Sequence, residues 1–280
     1  MLVPTTHTQF IALLGNPLGF SKASVMQNTA LRAAGLDILY FPLECQQEDL
    51  PVLLPAFRRM PFAGLAVTKP FKVKILPYLD EIEPSAKQIG SCNTVRLHDG
   101  RLIGYNTDGY GFTDALHKHY GDFQGKTMLV CGAGGTARAI CFACAAQGIG
   151  RICIVNRSLQ NAQALAEGLN QQGIDAEAYP LADAEKLLPD TDILVNATGL
   201  GMQPYEGQSP LPGIILPPHL FVCDLAYNPP RTKLLLDAEQ AGCRVMNGFD
   251  MSVYQGARQF WLLTGKQPPL EIMFETMQKQ

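Results

Sequence analysis

Residues 128–158 read MLVCGAGGTARAICFACAAQGIGRICIVNRS, and the order of their segments is that of half a nucleotide-binding domain. An apolar run, the loop GAGGTAR, an apolar helix-like segment and a second apolar run, RICIV, follow one another. This order predicts a strand, a tight turn, a helix and a second strand. The stretch therefore predicts a Rossmann-type domain in the middle of the chain.

The small residues of this loop have separate tasks in such a domain. Gly132 allows the tight turn, Gly134 lets the backbone approach a pyrophosphate, and Ala137 permits close packing of helix and strand. The amide groups at the helix start then face a bound anion. Because glycines also mark ordinary turns, the loop by itself is a weak signal.

The end of the second strand carries a more specific signal, Asn156-Arg157-Ser158. NAD-specific sites place an acidic residue there, about 20 residues beyond the loop, to bind the ribose 2′-hydroxyl. Here Arg157 supplies a planar cation and Ser158 a hydroxyl. These groups suit a 2′-phosphate, which a carboxylate would repel. The predicted cofactor is NADP, with NAD as the weaker alternative.

The composition is that of an ordinary globular protein. The 280 residues are 47% hydrophobic and 17% charged, enough for two domains with their own cores. A formal charge of −3 gives no basic footprint for nucleic acid. No apolar run reaches the roughly 18 to 20 residues that span a bilayer, and the start MLVPTTHTQF has no cleavable apolar segment. We expect a cytoplasmic protein with a small-molecule substrate and with neither nucleic-acid nor membrane partners.

The eight cysteines are predicted to pack as small apolar residues. Cys131, Cys153 and Cys223 lie in apolar strand-like runs. Cys141 and Cys144 lie in the helix after the glycine loop, with a spacing that resembles half a metal site. No second cysteine pair or histidine cluster accompanies them, so no metal is expected.

The rest of the chain alternates strand and helix patterns. Before the glycine loop we predict strands at 10–14, 39–43 and 64–67, helices at 25–34, at 47–59 and from about residue 71, and a hairpin of 93–97 with 101–105. After the loop we predict further strands at 176–180, 193–197, 220–225 and 244–246. The order βαβα predicts a parallel sheet in the first part.

The helical end of the chain belongs with the first part. Residues 248–280 have no strand partner, and one packed face is predicted from Val253, Ala257, Phe260, Trp261 and Thr264. The predicted α/β fold therefore has two domains. Residues 1–108 plus 248–280 form a substrate-binding catalytic domain, and residues 109–247 form the dinucleotide-binding domain.

Two residues of the first domain are candidates for acid-base chemistry. Oxidation of an alcohol by a nicotinamide needs a group that takes the hydroxyl proton while the hydride leaves. Lys72 is predicted at a helix start, where the helix dipole disfavours a charged amine, and Asp108 directly precedes another helix. Each also has an ordinary interpretation, Lys72 as a solvated surface lysine and Asp108 as a helix N-cap.

Nine stretches in one order resemble the shikimate dehydrogenase family, including its quinate/shikimate branch, from about Phe10 to the last helix. They are GNPLGFSK, AVTKPFK, CNTV, GYNTDG, GAGGTAR, VNRS, VNATGLGM, DLAYNPPRT and NGFDMSVYQGA. The resemblance implies a split α/β substrate domain plus a Rossmann NADP-binding domain, with the active site in the cleft between them. It implies an NADP-dependent oxidoreductase that interconverts 3-dehydroshikimate and shikimate by hydride transfer.

The resemblance also assigns site residues. Lys72 and Asp108 become the catalytic pair, the lysine as general acid and base at the reacting oxygen. The residues that match substrate contacts are Ser21, Thr68, Asn93, Tyr227 and Gln255. The residues expected at the cofactor are Gly132, Ala133, Gly134, Gly135, Thr136, Asn156, Arg157 and Ser158, with Thr198, Leu225, Gly248 and Met251 around the nicotinamide.

Two departures from the family pattern bear on the substrate. Ala23 stands where the family has a second carboxylate-binding serine, and Ala66 replaces an asparagine that the quinate-using branch also lacks. Quinate or a related polyhydroxy ring acid is therefore the near alternative. A catalytically inert sensor that binds nucleotide and ligand is the alternative of another class. An oxidoreductase for folate or tRNA would share only the Rossmann half. Relatives include monomers and homodimers.

Overall fold

The chain folds into two compact units, Met1–Gly111 with Val253–Gln280, and Phe112–Ser252. A computed structural model describes residues 4–19 and 21–279 of the chain. Phe20, within the stretch GNPLGFSK, lies outside the described residues.

The first unit contains a mixed six-stranded sheet of order β2-β1-β3-β5-β6-β4. Its strands are β1 (Gln9–Gly15), β2 (Ile38–Glu44), β3 (Phe62–Val67), β4 (Glu81–Ile82), β5 (Thr94–His98) and β6 (Arg101–Tyr105). The parallel arrangement predicted from the βαβα order is confirmed for β1, β2 and β3. It ends at β5, which pairs antiparallel with β3 and forms the predicted hairpin with β6.

Helices cover this sheet because each has an apolar stripe to bury. They are α1 (Ala23–Ala33), α2 (Leu50–Phe57), α3 (Phe71–Lys74) and α4 (Pro84–Ile89). Leu50, Leu54 and Phe57 of α2 join Phe71 of α3 in one buried cluster with residues of β1 and β3. All six residues of β3 are buried, so this central strand holds the loop that follows it in a fixed place.

The second unit contains six parallel strands in the order β12-β11-β10-β7-β8-β9. The strands are β7 (Thr127–Cys131), β8 (Arg151–Asn156), β9 (Asp175–Pro180), β10 (Ile193–Asn196), β11 (Phe221–Asp224) and β12 (Arg244–Asn247). This is the doubly wound order of a dinucleotide-binding domain. The Rossmann fold predicted from the glycine loop is therefore confirmed.

The helices of this unit connect its parallel strands. Further helices lie at the two boundaries of the unit and in the segment that follows it. Together these helices are α5 (Asp108–His119), α6 (Gly135–Ala146), α7 (Leu159–Asn170), α8 (Ala184–Leu187), α9 (Lys233–Gln240), α10 (Phe249–Thr264) and α11 (Leu270–Gln278). The two boundaries between the units fall within α5 and α10. In the first unit, α11 packs against α1, with Met26 and Met273 buried.

The packed face predicted for 248–280 was wrong at one of its five residues, Trp261. Val253, Ala257 and Phe260 are buried, but Thr264 is half-buried and Trp261 is 38% exposed. The indole of Trp261 stacks on the guanidinium of Arg258 instead, with Cζ 4.5 Å from the ring centroid. Cation–π stacking offers an aromatic ring a stabilising partner outside the core.

All eight cysteines are buried free thiols, which agrees with their predicted packing role. Within residues 4–19 and 21–279, no group of three or more histidine, cysteine or acidic side chains has the arrangement of a metal site. In the same residues, no helix is long and apolar enough to cross a bilayer.

Candidate active site

Lys72 and Asp108 form an ion pair in the first unit, with Nζ 2.5 Å from Oδ2. Lys72 lies in the single turn of α3, directly after the loop that follows β3, and Asp108 is the first residue of α5. Their side chains are 20% and 6% exposed, so the pair is largely shielded while the ammonium keeps an opening to solvent. Lys72 is therefore not a solvated surface lysine, because its ammonium is paired with Asp108.

Asn93 connects the pair to the sheet. Its Nδ2 donates to Oδ1 of Asp108 at 2.8 Å and to Oγ1 of Thr107 at 2.9 Å. Its Oδ1 accepts from the backbone amide of Thr107 at 2.9 Å and from the hydroxyl of Thr94 at 2.9 Å. Both ends of this buried amide are thus engaged, which fixes its orientation and that of the carboxylate.

The backbone of Asn93 is held as firmly as its side chain. Its amide donates to the carbonyl of Tyr105 at the end of β6, and its carbonyl accepts from Val67 at the end of β3. The neighbouring Cys92 amide donates to the carbonyl of Lys72 at 2.8 Å. Residues that are distant in sequence therefore share one rigid hydrogen-bonded frame.

Helix α10 contributes two glutamines to this frame. The hydroxyl of Thr107 donates to Oε1 of Gln255 at 3.3 Å. One turn further on, Nε2 of the buried Gln259 donates to the carbonyl of Asn93 at 3.2 Å and to Oγ1 of Thr94 at 3.0 Å. Sequence analysis identified Gln255 but not Gln259 or Thr107, whose polar character alone does not distinguish them from surface residues.

The remaining predicted substrate residues are Thr68 and Ser21 in the first unit and Tyr227 in the second. Thr68 follows β3 and is held by its backbone, its amide donating to Leu14 and its carbonyl accepting from Phe71. Ser21 is exposed just before α1. Tyr227 belongs to the second unit, where burial raises the pKa of its phenol. Among the described residues of the first unit, no direct hydrogen bond joins the side chain of Ser21 or Thr68 to Lys72 or Asp108.

The glycine loop of the second unit has the shape that its sequence predicts. Gly132 has a φ of +117°, and a Cβ there would lie 3.0 Å from the carbonyl of Ala197, so both conformation and space require glycine. At Gly134, the N-cap of α6, a Cβ would meet no atom within 4 Å. The N-cap of α6 makes no side-chain hydrogen bond, so the amides of its first turn are candidates for binding an anion.

The other predicted cofactor residues follow the carboxyl ends of the parallel strands. Asn156 ends β8, and exposed Arg157 and Ser158 come next; Nδ2 of Asn156 donates to the carbonyl of Ser158 at 3.0 Å. Thr198 lies just beyond β10, Leu225 beyond β11, and Gly248 beyond β12. Carboxyl ends of parallel strands meet at one edge of a sheet, where ligands of this fold bind.

Gly248 and Leu225 touch closely. A Cβ on Gly248 would lie 2.0 Å from the carbonyl oxygen of Leu225, so no other residue fits without a backbone shift. The amide of Gly248 donates to Ala226 at 3.0 Å. Buried Met251 lies in the first turn of α10, three residues beyond Gly248. These contacts bring together the ends of β11 and β12.

A buried polar network, not identified from the sequence, supports the same edge. Asp224 accepts from the hydroxyl of Thr232 at 2.7 Å, from the amide of Ala226 at 3.0 Å and from Nδ2 of Asn196 at 3.1 Å. Oδ1 of Asn196 accepts in turn from the hydroxyl and amide of Thr198. Burial raises the pKa of Asp224. The stretch DLAYNPPRT contained the signal, an acid directly after an apolar strand.

The fold and these two sites define a class, an α/β oxidoreductase with a Rossmann domain and a separate domain that carries a lysine–aspartate pair. Three family models match the chain. They are the shikimate dehydrogenase substrate binding domain over residues 13–95, shikimate / quinate 5-dehydrogenase over 114–204, and the shikimate 5′-dehydrogenase C-terminal domain over 248–278. The chain belongs to the shikimate dehydrogenase family.

Full-length relatives agree with this assignment. The chain is 40% identical to a protein of Moorella thermoacetica named shikimate dehydrogenase (NADP(+)), over 98% of this chain and 94% of the relative. It is similar to the crystal structure of shikimate 5-dehydrogenase from Listeria monocytogenes in complex with shikimate and NAD, with 38% identity, a TM-score of 0.92 and 97% of each chain covered. It is also similar to quinate dehydrogenase from Corynebacterium glutamicum in complex with NAD, with 29% identity, a TM-score of 0.91, and 98% and 99% covered.

Proposed function

We propose that this protein is an NADP-dependent dehydrogenase that interconverts shikimate and 3-dehydroshikimate, with Lys72 and Asp108 as its acid-base pair. One observation carries the proposal: the ammonium of Lys72 is 2.5 Å from a carboxylate that Asn93 also holds. A ligand-binding sensor would need neither a proton donor nor a buried carboxylate to orient it. The names of full-length relatives support the same substrate and cofactor.

The pair has the groups that the reaction needs. When the alcohol is oxidised, its C–H bond breaks and the hydride passes to the nicotinamide, while the hydroxyl proton must go to a base. The amine of Lys72 takes that proton, and in the reverse direction its ammonium returns a proton to the ketone oxygen. Asp108 positions the amine and compensates its charge. Its rigid contacts with Asn93 keep the pair oriented in both protonation states.

The substrate ring is held by neighbouring polar groups. We assign ring hydroxyls to Asn93, Thr68 and Gln255, and the carboxylate to Ser21. Support for Gln255 comes from its contact with Thr107, which in turn bonds Asn93. Tyr227 is assigned as a further substrate contact from the second unit. A hydroxyl on its own binds a carboxylate less tightly than two do, and Ala23 offers none.

The second unit has the groups that NADP binding requires. The bound cofactor supplies and accepts the hydride. Gly134 leaves room for a pyrophosphate against its backbone, and Ala133, Gly135 and Thr136 bring the amides of the α6 start to it. Arg157 and Ser158 would hold the 2′-phosphate beside Asn156. Thr198, Leu225, Gly248 and Met251 would surround the nicotinamide.

A second candidate is quinate, or a related polyhydroxy ring acid, as the preferred substrate. Two observations favour it. Ala66 is a buried residue at the substrate end of β3 and offers no polar contact, and Ala23 begins α1 without a hydroxyl. A ring acid with a different hydroxyl pattern would not need the contacts that these positions lack.

A kinetic panel tests these proposals. Purified protein is assayed with shikimate and with quinate, each against NADP⁺ and NAD⁺, by the absorbance of the reduced nicotinamide. The highest kcat/KM is expected for shikimate with NADP⁺. A higher kcat/KM with quinate would instead support quinate as the preferred substrate. Absence of turnover with every combination of acid and cofactor would overturn the dehydrogenase proposal. It would favour the catalytically inert sensor that binds nucleotide and ligand.

We also propose domain boundaries and a cellular setting. The substrate-binding domain comprises 1–108 plus 248–280 and the Rossmann domain 109–247, with support from compact units that change at Gly111 and Ser252. The eight free thiols support a cytoplasmic location, since disulfides are rare in cytosolic proteins. The proposed assembly is a monomer or a homodimer, which sedimentation in the presence of NADP⁺ distinguishes.

A further inference from the structure

A cavity of about 300 Å³ opens in the first unit. Its lining combines the aromatic side chains of Tyr105, Tyr110 and Trp261 with the cationic Arg96 and Arg258 and the amide of Asn106. Lys72, Asp108 and Asn93 are described residues and none of them lines it. A volume of this size is at the lower end of the range for small-molecule sites, so a ligand would be small.

The guanidinium of Arg258 is fixed in orientation by two aromatic rings. Its Cζ lies 4.5 Å from the ring centroid of Trp261 and 4.9 Å from that of Tyr110. Stacking occupies the faces of the guanidinium and leaves its N–H edges for a planar anion. Trp261 and Tyr110 are 38% and 45% exposed, so a ligand can reach both rings from solvent.

The charge balance of the lining favours an anion. Within residues 4–19 and 21–279, neither Arg96 nor Arg258 forms an ion pair. The carboxylate in the lining, that of Glu83, caps α4 by accepting from the amides of Ser85 and Ala86 at 3.0 and 3.3 Å. The negative charge of Glu83 is thus stabilised by the N-terminus of α4. The guanidinium groups of Arg96 and Arg258 therefore remain available to bind a ligand.

We propose that this cavity binds a carboxylate with a single aromatic ring. The carboxylate matches the forked donors of the two arginines, and the ring matches the aromatic wall formed by Tyr110 and Trp261. A benzoate is the simplest member of this class. The cavity adjoins the network around Asn93 through Tyr105 and Asn106, but Lys72, Asp108 and Asn93 do not line it, so we place this site beside the substrate site and not within it.

Trp261 makes the proposal directly testable, because it is the chain's single tryptophan. Intrinsic fluorescence is followed while benzoate is added to the full-length protein, with saturating shikimate present throughout. A saturable change in emission is expected. Benzamide lacks the charge and acetate lacks the ring, so each should bind at least about tenfold more weakly.

Substitutions test whether the change in fluorescence arises from benzoate binding in this cavity. Arg96→Gln should weaken benzoate binding by about tenfold or more, because a charge-assisted hydrogen bond is lost, while Arg96→Lys should retain part of it. Arg59→Gln removes an exposed arginine of the same unit and should bind as the wild type does. The shikimate dehydrogenase rate without benzoate should be unchanged in all three variants.

Four outcomes would overturn the proposal. They are absence of a saturable change, equal binding of benzamide, wild-type affinity in Arg96→Gln, and a higher benzoate affinity when shikimate is omitted, which would show that the two compete. A change in Trp261 emission on dilution of the protein alone would also overturn it, since the aromatic surface would then serve contact between two copies of this chain. Because the readout is fluorescence, it stays informative even if the kinetic panel finds no turnover.

Discussion

The Oδ2 atom of Asp108 lies 2.5 Å from Nζ of Lys72, while Oδ1 of the same carboxylate accepts from Asn93. Both oxygens of Asp108 are therefore engaged by donors that come from other parts of the chain. A buried ion pair of this kind needs such extra hydrogen bonds, because desolvation opposes it. The arrangement orients the partly exposed amine, which we propose receives the proton of the substrate hydroxyl.

Lys72→Ala is predicted to lower kcat for the dehydrogenase reaction by roughly 10²- to 10⁴-fold, the usual contribution of a general acid or base. Affinity for NADP⁺ should change little, since Lys72 lies outside the Rossmann unit. Steady-state kinetics and cofactor titration measure the two effects. Lys74→Ala is the matched control, because Lys74 is exposed in the same helical turn and should keep wild-type kcat. Equal losses in both variants would contradict a chemical role for Lys72.

Gly132→Ala and Gly134→Ala are predicted to fail in different ways. At Gly132 the added methyl meets the carbonyl of Ala197 in a conformation with positive φ, so the melting temperature should fall. At Gly134 the methyl meets open space in the protein, so the melting temperature should stay the same while the Kd for NADP⁺ rises. Thermal unfolding without cofactor and cofactor titration separate the two results. Normal NADP⁺ binding by Gly134→Ala would contradict the proposed pyrophosphate contact.

Arg157→Ala is predicted to raise the KM for NADP⁺ by roughly 10- to 100-fold, the loss of a hydrogen bond to a charged group. The KM for NAD⁺ should remain the same, because NAD⁺ has no 2′-phosphate. Arg151→Ala is the control at the opposite end of β8, where the arginine pairs with Glu177. It should leave both values close to wild type. A parallel rise for NADP⁺ and NAD⁺ in Arg157→Ala would show that the arginine acts on another part of the cofactor.

The predictable part of this structure is the part whose signal is local. The glycine loop, the apolar strands and the Asn156-Arg157-Ser158 corner lie within one short stretch, and each residue type there has one physical task. Lys72 and Asp108 are also identifiable, because each lies at a helix start. The sequence does not show that Lys72 and Asp108 pair, because the pair forms only when β3, β6 and α5 converge in the fold.

The residues that sequence analysis missed are those whose role depends on distant partners. Gln259 reaches Asn93 and Thr94 across about 165 residues of chain, so no local pattern distinguishes it from a surface glutamine. Trp261 shows the opposite error. Helical periodicity placed it in the core, but the indole found a partner in Arg258, and periodicity takes no account of such stacking.

The buried carboxylate of Asp224 is predicted to make stability depend on pH in a direction opposite to that of most acids. Burial raises its pKa, so the native state favours the protonated form. Its contribution to the free energy of unfolding is then full below the ordinary aspartate pKa of about 3.9 and is lost as pH rises through the raised value. Urea unfolding of wild type and Asp224→Asn across the acid range measures this. The stability of wild type minus that of the variant should decrease with rising pH.

Asp80 provides the control with the opposite sign. Hydrogen bonds from Arg58 and from the amide of Leu102 lower the pKa of its carboxyl group. Its contribution is therefore present above the ordinary aspartate pKa and is lost as pH falls through the lowered value. The stability of wild type minus that of Asp80→Asn should increase with rising pH. If both differences slope the same way, burial does not control the titration of Asp224, and the buried network at the cofactor edge would have to hold a fully charged carboxylate.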